Sequence, residues 1–473
     1  MATTTTVKPL AVRLRPVERR LLLLLGDLLV SSLALLASLY FWAQRDQWLN
    51  FSWKFLEQRP PVWFWFLPLL WILLINDLYD IHRASRLMDT LRGILIGCVV
   101  GAGFYLVVFF LSDSESMPRH GVATFLVFSA VLTFLWRLGY IRIFTAPQFL
   151  RRVLVVGAGK AGSTLCSVVL KVKPPPFFLV GLIDDNPQKQ GTEVECYPVL
   201  GSSAELESLA GKHAITDVIV AISGEMRSEM FQALVDIQEK GLVVHSMPAI
   251  YEELLGRVPI FLLQSDWILR SFVDQAQAGG LYEGIKRLLD IIGGLVGSLF
   301  LVVLFPIVGL LTLLETGRPI IFTQKRLGMF GQEYWTIKFR TMVNNTANEK
   351  ARVTSTHDDR ITRVGRLLRK SHLDEWPQFL NVLRGEMSLV GPRPEQSELV
   401  TQLQASLPFY RARLLVKPGL TGWAQVNFGY AATVEDTAIK LEYDLYYIKH
   451  RSLLLDIIIL LRTFGTVVGF RGQ

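Results

Sequence analysis

Cysteine is scarce in this 473-residue chain: Cys98, Cys166 and Cys196 are the only three. Three scattered thiols exclude a disulfide framework and a thiolate zinc site, and they suit a reducing compartment. Charge is low as well, at 19% of residues against roughly 25% in ordinary soluble domains. Hydrophobic residues reach 51%, which excludes disorder, a state that needs low hydrophobicity and high charge. No long periodic tract is present, so a collagen-like repeat and a coiled coil are ruled out. The formal charge of +8 would suit nucleic acid, but the basic residues flank apolar runs and read instead as membrane topology; no nucleic-acid partner is expected. Length sets a prior of about three domains at roughly 150 residues each.

Four apolar runs crowd the start, at 21–42, 62–76, 93–111 and 121–141. Each approaches the ~20 residues that cross ~30 Å of hydrocarbon, and the second, being short, leans on Trp63, Trp65 and Trp71 as an interfacial belt. The first run ends in Phe41-Trp42-Ala43-Gln44 without an A-x-A cleavage site, so it reads as an uncleaved helix. Lys8, Arg13, Arg15, Arg19 and Arg20 precede it; Arg83, Arg86 and Arg92 lie between the second and third runs; Arg142, Arg151 and Arg152 follow the fourth. The alternate loops dilute Arg45, Lys54 and Arg59 with Asp46 and Glu57, and set Asp113 and Glu115 against Arg119. The N-terminus and everything after the fourth run are therefore expected on the cytoplasmic face. Asp27 lies near the cytoplasmic end of the first run, where a hydrated or locally paired role is expected ahead of that of a functional intramembrane acid.

A fifth apolar stretch, 288–314, has Lys286 and Arg287 before it and Arg318, Lys325 and Arg326 after it, so both ends read as cytoplasmic. Pro306 would break the helix within it. A kinked helix that enters and leaves by the same face satisfies both signals, with Gly293, Gly294 and Gly297 permitting close packing; an ordinary fifth span is the alternative.

Residues 151–162 run Arg-Arg-Val-Leu-Val-Val-Gly-Ala-Gly-Lys-Ala-Gly, a short strand leading into Gly157, Gly159 and Gly162 and then a helical pattern. That is the context of a dinucleotide fingerprint, with Asp184 at the end of a second strand, 178–183, where a ribose-binding acid would sit. Further strands are expected at 216–222 and 242–246. A Rossmann-like unit follows; a bound nucleotide does not, because the same glycines also serve strand–helix packing. Tyr282-Glu-Gly-Ile-Lys286 imitates a dehydrogenase dyad but lies far outside this unit and reads as chance.

From Gly317 onward charge returns in an ordered way. Arg360, Arg363, Arg366 and Arg369 recur at three-residue intervals ahead of the adjacent acids Asp374 and Glu375, and Arg384 and Arg393 follow. Guanidinia converging on paired acids suit a phosphate-rich substrate, since arginine forks phosphate oxygens. The acids could hold Mg²⁺, which takes one or two carboxylates together with substrate phosphates. A solvated charge cluster would explain the arginines but not the apolar Trp376-Pro377 and Val390-Gly391-Pro392 beside them.

The motifs Lys286-Arg287-x-x-Asp290, Gln324-Lys-Arg-x-Gly328, Lys338-Phe-Arg-Thr-Met342, Leu373-Asp-Glu-x-Pro-Gln378, Asn381-Val-Leu-Arg-Gly-Glu-Met-Ser-Leu-Val-Gly-Pro-Arg-Pro394 and Lys417-Pro-Gly-Leu-Thr-Gly-Trp-Ala-Gln-Val426 together resemble the polyprenyl-phosphate hexose-1-phosphate transferases, the large membrane form of the bacterial sugar transferase family. The resemblance implies four transmembrane helices over 1–150, a CoA-binding-like Rossmann domain over 151–278, and a re-entrant helix plus a mostly helical catalytic domain over 279–473. It implies transfer of a hexose-1-phosphate, by family frequency glucose-1-phosphate, from a UDP-sugar to undecaprenyl phosphate at the bacterial cytoplasmic membrane. UMP is released, and exopolysaccharide, capsule or O-antigen synthesis begins. In the family's scheme the aspartate, here Asp374, attacks the phosphorus nearer the sugar, with Glu375 beside it, Mg²⁺ on the pair, and Lys338, Arg340, Arg363, Arg369, Arg384 and Arg393 as phosphate contacts. Two departures show: Phe305-Pro306 stands where Ser-Pro is frequent, and Ser371-His-Leu-Asp-Glu-Trp-Pro377 where Ser-Leu-Asp-Glu-Leu-Pro is usual. The competing readings are a membrane-bound nucleotide-sugar dehydratase or epimerase, which lacks its second glycine fingerprint here, and a non-catalytic regulator of polysaccharide export. The oligomeric state is open, a homodimer included.

Overall fold

The computed structural model describes residues 16–44, 50–79, 84, 86–111, 119–144, 151–173, 175–263, 280–342, 360–429 and 433–468. Lys8, Arg13, Arg15, Arg45, Asp46, Arg83, Asp113 and Glu115, used above for topology, lie outside the described residues. The chain forms two compact units, Met1–His245 and Ser246–Gln473.

The N-terminal unit opens with α1 (Pro16–Ala43), α2 (Leu87–Leu111) and α3 (Arg119–Phe144). Among the described residues, three helices in the whole chain are long and apolar enough to cross a membrane: Glu18–Ala43, Gly121–Ile143 and Gly280–Thr316. The second apolar run folds as the short helix Val62–Leu74, about 20 Å at 1.5 Å per residue and so shorter than the hydrocarbon layer. Trp71 corrects the aromatic-belt expectation. It is buried at 1% exposure, and its indole N–H donates to Thr133 Oγ1 on α3 at 3.0 Å, because a buried tryptophan needs a partner for that group. Trp63 and Trp65 remain exposed. Asp27 is locally paired: Arg137 of α3 donates to its Oδ2 at 2.5 Å and to the Leu78 carbonyl at 2.9 Å, with both side chains fully buried.

The same unit continues as a six-stranded sheet of β1 (Arg152–Val156), β2 (Phe178–Ile183), β3 (Glu193–Val194), β4 (Tyr197–Gly201), β5 (Asp217–Val220) and β6 (Val243–Ser246), in the order β3-β4-β2-β1-β5-β6. β1 runs parallel to β2 and β5, β2 parallel to β4, and β3 returns antiparallel as a hairpin edge. Val153 through Val156 are at most 1% exposed, as a central strand covered on both faces demands. α4 (Lys160–Lys171) follows the glycine turn directly.

The C-terminal unit contains α5 (Met247–Leu255), α6 (Gly280–Thr316), the hairpin β7 (Ile321–Leu327) and β8 (Glu333–Phe339), α7 (Arg363–Lys370), α8 (Phe379–Arg384), β9 (Ser388–Val390) beside β10 (Gly419–Thr421), α9 (Val434–Lys449) and α10 (Leu453–Val468). Its main core joins Val258 and Ile260 to Val390, Val416, Leu441 and Leu445. α6 is helical without interruption from Gly280 to Thr316, with Pro306 inside it. Its buried positions, Asp290, Gly294, Gly297, Leu301, Val308 and Thr312, recur at helical spacing and make one seam. A Cβ at Gly293, Gly294 or Gly297 would enter Leu389, Leu383 or Phe379, so these glycines do bring helix and domain into contact. The other face is bare: Leu299, Val302, Val303, Ile307, Leu310 and Leu314 are exposed.

Candidate active site

The paired acids lie on a 3-10 turn, Leu373–Gln378, that begins where α7 ends. α7 is held at its start by three acceptors. Thr362 Oγ1 takes the Gly365 N–H at 2.8 Å, and the Glu315 carboxylate at the end of α6 takes the Arg363 and Val364 N–H groups at 2.7 and 2.9 Å. These are the orphan donors that open every helix. Past its last turn, His372 adopts a left-handed conformation at φ 56° and swings the chain into the Asp374-Glu375 turn. Leu373 and Trp376, on either side of the acids, pack onto the α6 seam with Leu301 and Val308.

Two cations from other elements converge on Glu375. Lys338 Nζ, on β8, donates to its Oε1 at 2.6 Å. Arg393, three residues beyond β9, forks the carboxylate with Nη2 on Oε1 at 2.6 Å and Nη1 on Oε2 at 3.3 Å. Burial alone would push the Glu375 carboxyl up, but Arg393 and Lys338 more than cancel it and hold the group far below the usual carboxylate range. Asp374 is the opposite case. Among the described residues it accepts no hydrogen bond, and burial followed by the charge of Glu375 pushes its carboxyl up against the weaker pull of Lys338, Arg369 and Arg393. Burial likewise lowers Lys338.

A small recess of about 20 Å³, lined by Arg326, Lys338, Glu375, Arg393, Gly419 and Leu420, opens beside the pair. Arg326, which lines the recess, and Arg413, behind Arg393, are the site arginines that reading for charged clusters misses. Arg326 donates to the Pro394 carbonyl at 3.0 Å and to Gln324 Oε1 at 2.8 Å. Arg413 donates to the Arg393 carbonyl at 2.9 Å and to Asp444 at 2.8 Å, so it fixes the backbone that carries the fork. The signal for Arg326 was its place in the Gln324–Gly328 motif; Arg413 carried none.

The other expected phosphate contacts spread out. Arg369 approaches the pair and donates to Thr341 Oγ1 at 3.0 Å. Arg340 turns to the Arg318 and Met342 carbonyls at 3.0 and 3.1 Å. Arg363 and Arg384 are exposed at opposite ends of α7 and α8. The Lys286-Arg287-x-x-Asp290 motif anchors α6. Arg287 donates to the Val382 and Leu383 carbonyls at 2.8 and 2.7 Å, and Asp290 accepts from Ser388 Oγ and Leu389 N at 2.9 and 2.8 Å. Tyr282 and Lys286, the false dehydrogenase dyad, both donate to Asp456 Oδ2 at 3.0 Å.

At the glycine turn, Gly157 has φ 108°, and its missing Cβ makes room for the Ala221 carbonyl. The missing Cβ of Gly162 makes room for the Gly157 carbonyl. Both glycines therefore serve strand–helix packing, while Gly159 starts α4 with open space around it. Asp184 accepts from Ala158 N at 2.8 Å, Asn186 N at 2.9 Å and Lys189 Nζ at 3.1 Å, and Glu195 accepts from Ser163 Oγ at 3.1 Å in the first turn of α4. The acid expected on a ribose is thus engaged within the chain, by two backbone N–H groups and Lys189. Asp374 and Glu375 offer Mg²⁺ two adjacent carboxylates, of which Asp374 accepts no hydrogen bond among the described residues and Glu375 is held by Lys338 and Arg393.

Residues 281–470 match the bacterial sugar transferase family and residues 74–248 a CoA-binding domain family. A UDP-N-acetylgalactosamine-undecaprenyl-phosphate N-acetylgalactosaminephosphotransferase of Aeromonas hydrophila is 40% identical over 49% of this chain, which spans about half (53%) of that relative's length. A UDP-glucose:undecaprenyl-phosphate glucose-1-phosphate transferase of Klebsiella pneumoniae is 33% identical over 71% of this chain and 70% of its own. An undecaprenyl-phosphate glucose phosphotransferase of Komagataeibacter xylinus is 30% identical over 84% and 74%. With two of these relatives at least 30% identical over more than two thirds of their length, the chain belongs to the bacterial sugar transferase family.

Proposed function

We propose that this protein transfers a sugar-1-phosphate from a UDP-sugar to undecaprenyl phosphate, releasing UMP, through a mixed anhydride between the Asp374 carboxylate and the sugar phosphate. The observation that carries the reading is the split acid pair, with Glu375 locked by Lys338 and Arg393 and Asp374 accepting no hydrogen bond among the described residues. A carboxylate oxygen of Asp374 attacks the phosphorus that bears the sugar, and the bond from that phosphorus to the UMP oxygen breaks. A phosphate oxygen of the lipid then attacks the same phosphorus and frees Asp374. One phosphoanhydride replaces another, so positioning and charge neutralisation carry the rate. Arg393 and Lys338 supply fixed positive charge at the recess, and Arg413 holds the Arg393 backbone in place. Bound Mg²⁺, held by Asp374 and Glu375, would neutralise charge on the diphosphate.

The hexose we propose is glucose, as in two relatives at least 30% identical over two thirds or more of both chains. α6 is proposed to dip into the cytoplasmic leaflet of the bacterial inner membrane and not to cross it. Polar contacts to its own unit run from Arg287 near its start to Glu315 at its end, so crossing would drag α7, α8 and β9 into hydrocarbon. The test is a panel of radiolabelled UDP-glucose, UDP-galactose and UDP-N-acetylated sugars offered to membranes with and without chelator. Label in the polyprenyl diphosphate fraction, lost with EDTA and restored by Mg²⁺, is expected. Without acceptor, one UMP per enzyme and a phosphosugar on the Asp374 peptide are expected. No UMP until lipid is added, and no trapped adduct, would replace the two-step route by direct transfer.

A further inference from the structure

Two residues of the cleft are each followed by an aromatic ring that packs against a second ring on α6. Lys338 precedes Phe339, whose ring centre lies 5.8 Å from that of Phe305. Glu375 precedes Trp376, which meets Phe300 edge-to-face at 5.9 Å and 84°, and Phe379 at 5.5 Å. The two contacts differ in exposure. Phe339 is 2% exposed and belongs to the seam with Leu301, Val308 and Leu368. Phe300 is 54% exposed, Trp376 is half-buried, and their surface continues into the bare apolar face of α6 at Leu299 and Val303. One residue step from Glu375 therefore leads from fixed charge to an open aromatic surface.

We infer that Trp376 and Phe300 seat the first isoprene units of the lipid acceptor and act as specificity residues for the second half of the reaction. This rests on the transferase reading above. The acceptor oxygen must come within about 3 Å of the phosphorus carried by Asp374, so the units bonded to that phosphate lie close to Trp376, two residues along the chain. Those units are methyl-branched and unsaturated, and they bury well against aromatic edges and faces. The charged side of the same turn, with Lys338 and Arg393, suits the phosphates. The apolar side is continuous with the face of α6 that the proposed membrane insertion puts against acyl chains. Trp376 is also a departure from the leucine usual in the family pattern. A leucine there would fill the seam, so Trp376→Leu is a variant expected to fold.

The full chain in nanodiscs would be assayed for the KM of undecaprenyl phosphate and, separately, of UDP-glucose. Trp376→Leu and the surface variant Phe300→Leu should each raise the acceptor KM about three- to tenfold and leave the donor KM within about twofold. Trp376→Phe should restore most of the loss. An unchanged acceptor KM in both leucine variants overturns the inference. So does a rise in donor KM alone, which would assign the ring to the uracil, or a rise in both together, which would mark a shifted cleft. A wild-type chain that transfers nothing from any UDP-sugar removes the proposed function itself, and the inference with it.

Discussion

Asp374 and Glu375 are adjacent acids of nearly equal intrinsic strength, and only their surroundings make them different groups. If the attacking species is the Asp374 anion, as proposed, the rate of UMP release falls as pH drops through its pKa. Burial and the Glu375 charge raise that pKa, so the acid limb should lie above the ordinary aspartate range near 3.9. Asp374→Asn keeps the shape without the anion and should cost at least about a thousandfold in single-turnover UMP release. Glu375→Gln should also be severe, yet its residual activity carries a signature: the acid limb moves to lower pH, since one source of the upward shift is gone and Lys338 and Arg393 are released to act on Asp374. A limb that stays put would mean that the pair is not coupled as drawn. Arg393→Lys retains charge but not the fork, and should lower the same rate about ten- to a hundredfold. The sequence showed these residues because their motifs are dense and specific. It could not say which neighbouring arginines join them, since that is decided where an element ends. Lys338 and Arg340 are two apart and would share a strand face, but β8 stops at Phe339 and Arg340 turns to backbone carbonyls. Three-residue spacing likewise walks around α7, so only Arg369, at its last turn, reaches the pair.

At the scale of elements, α6 was legible as an apolar stretch with glycine contacts, but not as one uninterrupted helix, because Pro306 reads as a break in any single-sequence argument. The seam overrides that local signal. Leu301 and Val308 are held on both sides of the proline by Phe339 and Leu368, and Phe305 packs on Phe339 beside it. If the helix stays on one side of the bilayer, single cysteines at positions 282 and 318 in a cysteine-free background should both label from the cytoplasm. Labelling of 318 from the periplasm would make α6 a span. A second junction, between α5 and α9, carries a pH dependence of its own. Glu442 is buried against Tyr251, which donates to it at 3.2 Å, with Arg257 at 3.4 Å, and burial pushes its carboxyl up to about 7. A raised carboxyl binds its proton more tightly folded than unfolded. The stability it contributes is therefore complete below the unfolded value near 4.3 and is lost as pH rises through about 7. The melting temperature of the C-terminal unit should fall between pH 5 and pH 8, and Glu442→Gln should flatten that slope. An identical slope in the variant would rule out Glu442 as its source.

For the whole molecule, the question is how little of the chain can still carry out the chemistry. The family match begins at residue 281, and the acid pair, its cations and all but the first residue of α6 lie within it. The structure adds a piece that no motif announced. Val258 and Ile260 are 0% and 1% exposed within the main core of the C-terminal unit, against Leu441, Leu445 and Tyr447. Trp423 donates its indole N–H to the Gly256 carbonyl at 2.7 Å, Val258 N donates to the Glu442 carbonyl at 3.0 Å, and Lys449 bonds the buried Glu252 at 2.8 Å. The segment was invisible in the sequence because it is short and mixed in character, and its meaning depends on a core built from residues more than a hundred positions later. Starting the chain at 279 would delete two core side chains, at about 2–5 kcal/mol each for large-to-small losses. It would also leave the Trp423 N–H and the Glu442 carbonyl without their partners, at about 1–3 kcal/mol apiece. Such a sum rivals the whole stability of an ordinary domain, about 5–15 kcal/mol. Tyr447, which donates to the Val390 carbonyl at 3.2 Å three residues before Arg393, would loosen with it. We therefore expect residues 246–473, in detergent or nanodiscs, to release UMP from a UDP-sugar at a rate within about tenfold of the full chain, and residues 279–473 to be unfolded or inactive. Equal activity of both fragments would show that the segment only tethers, and inactivity of both would mean that the N-terminal unit takes part in the chemistry.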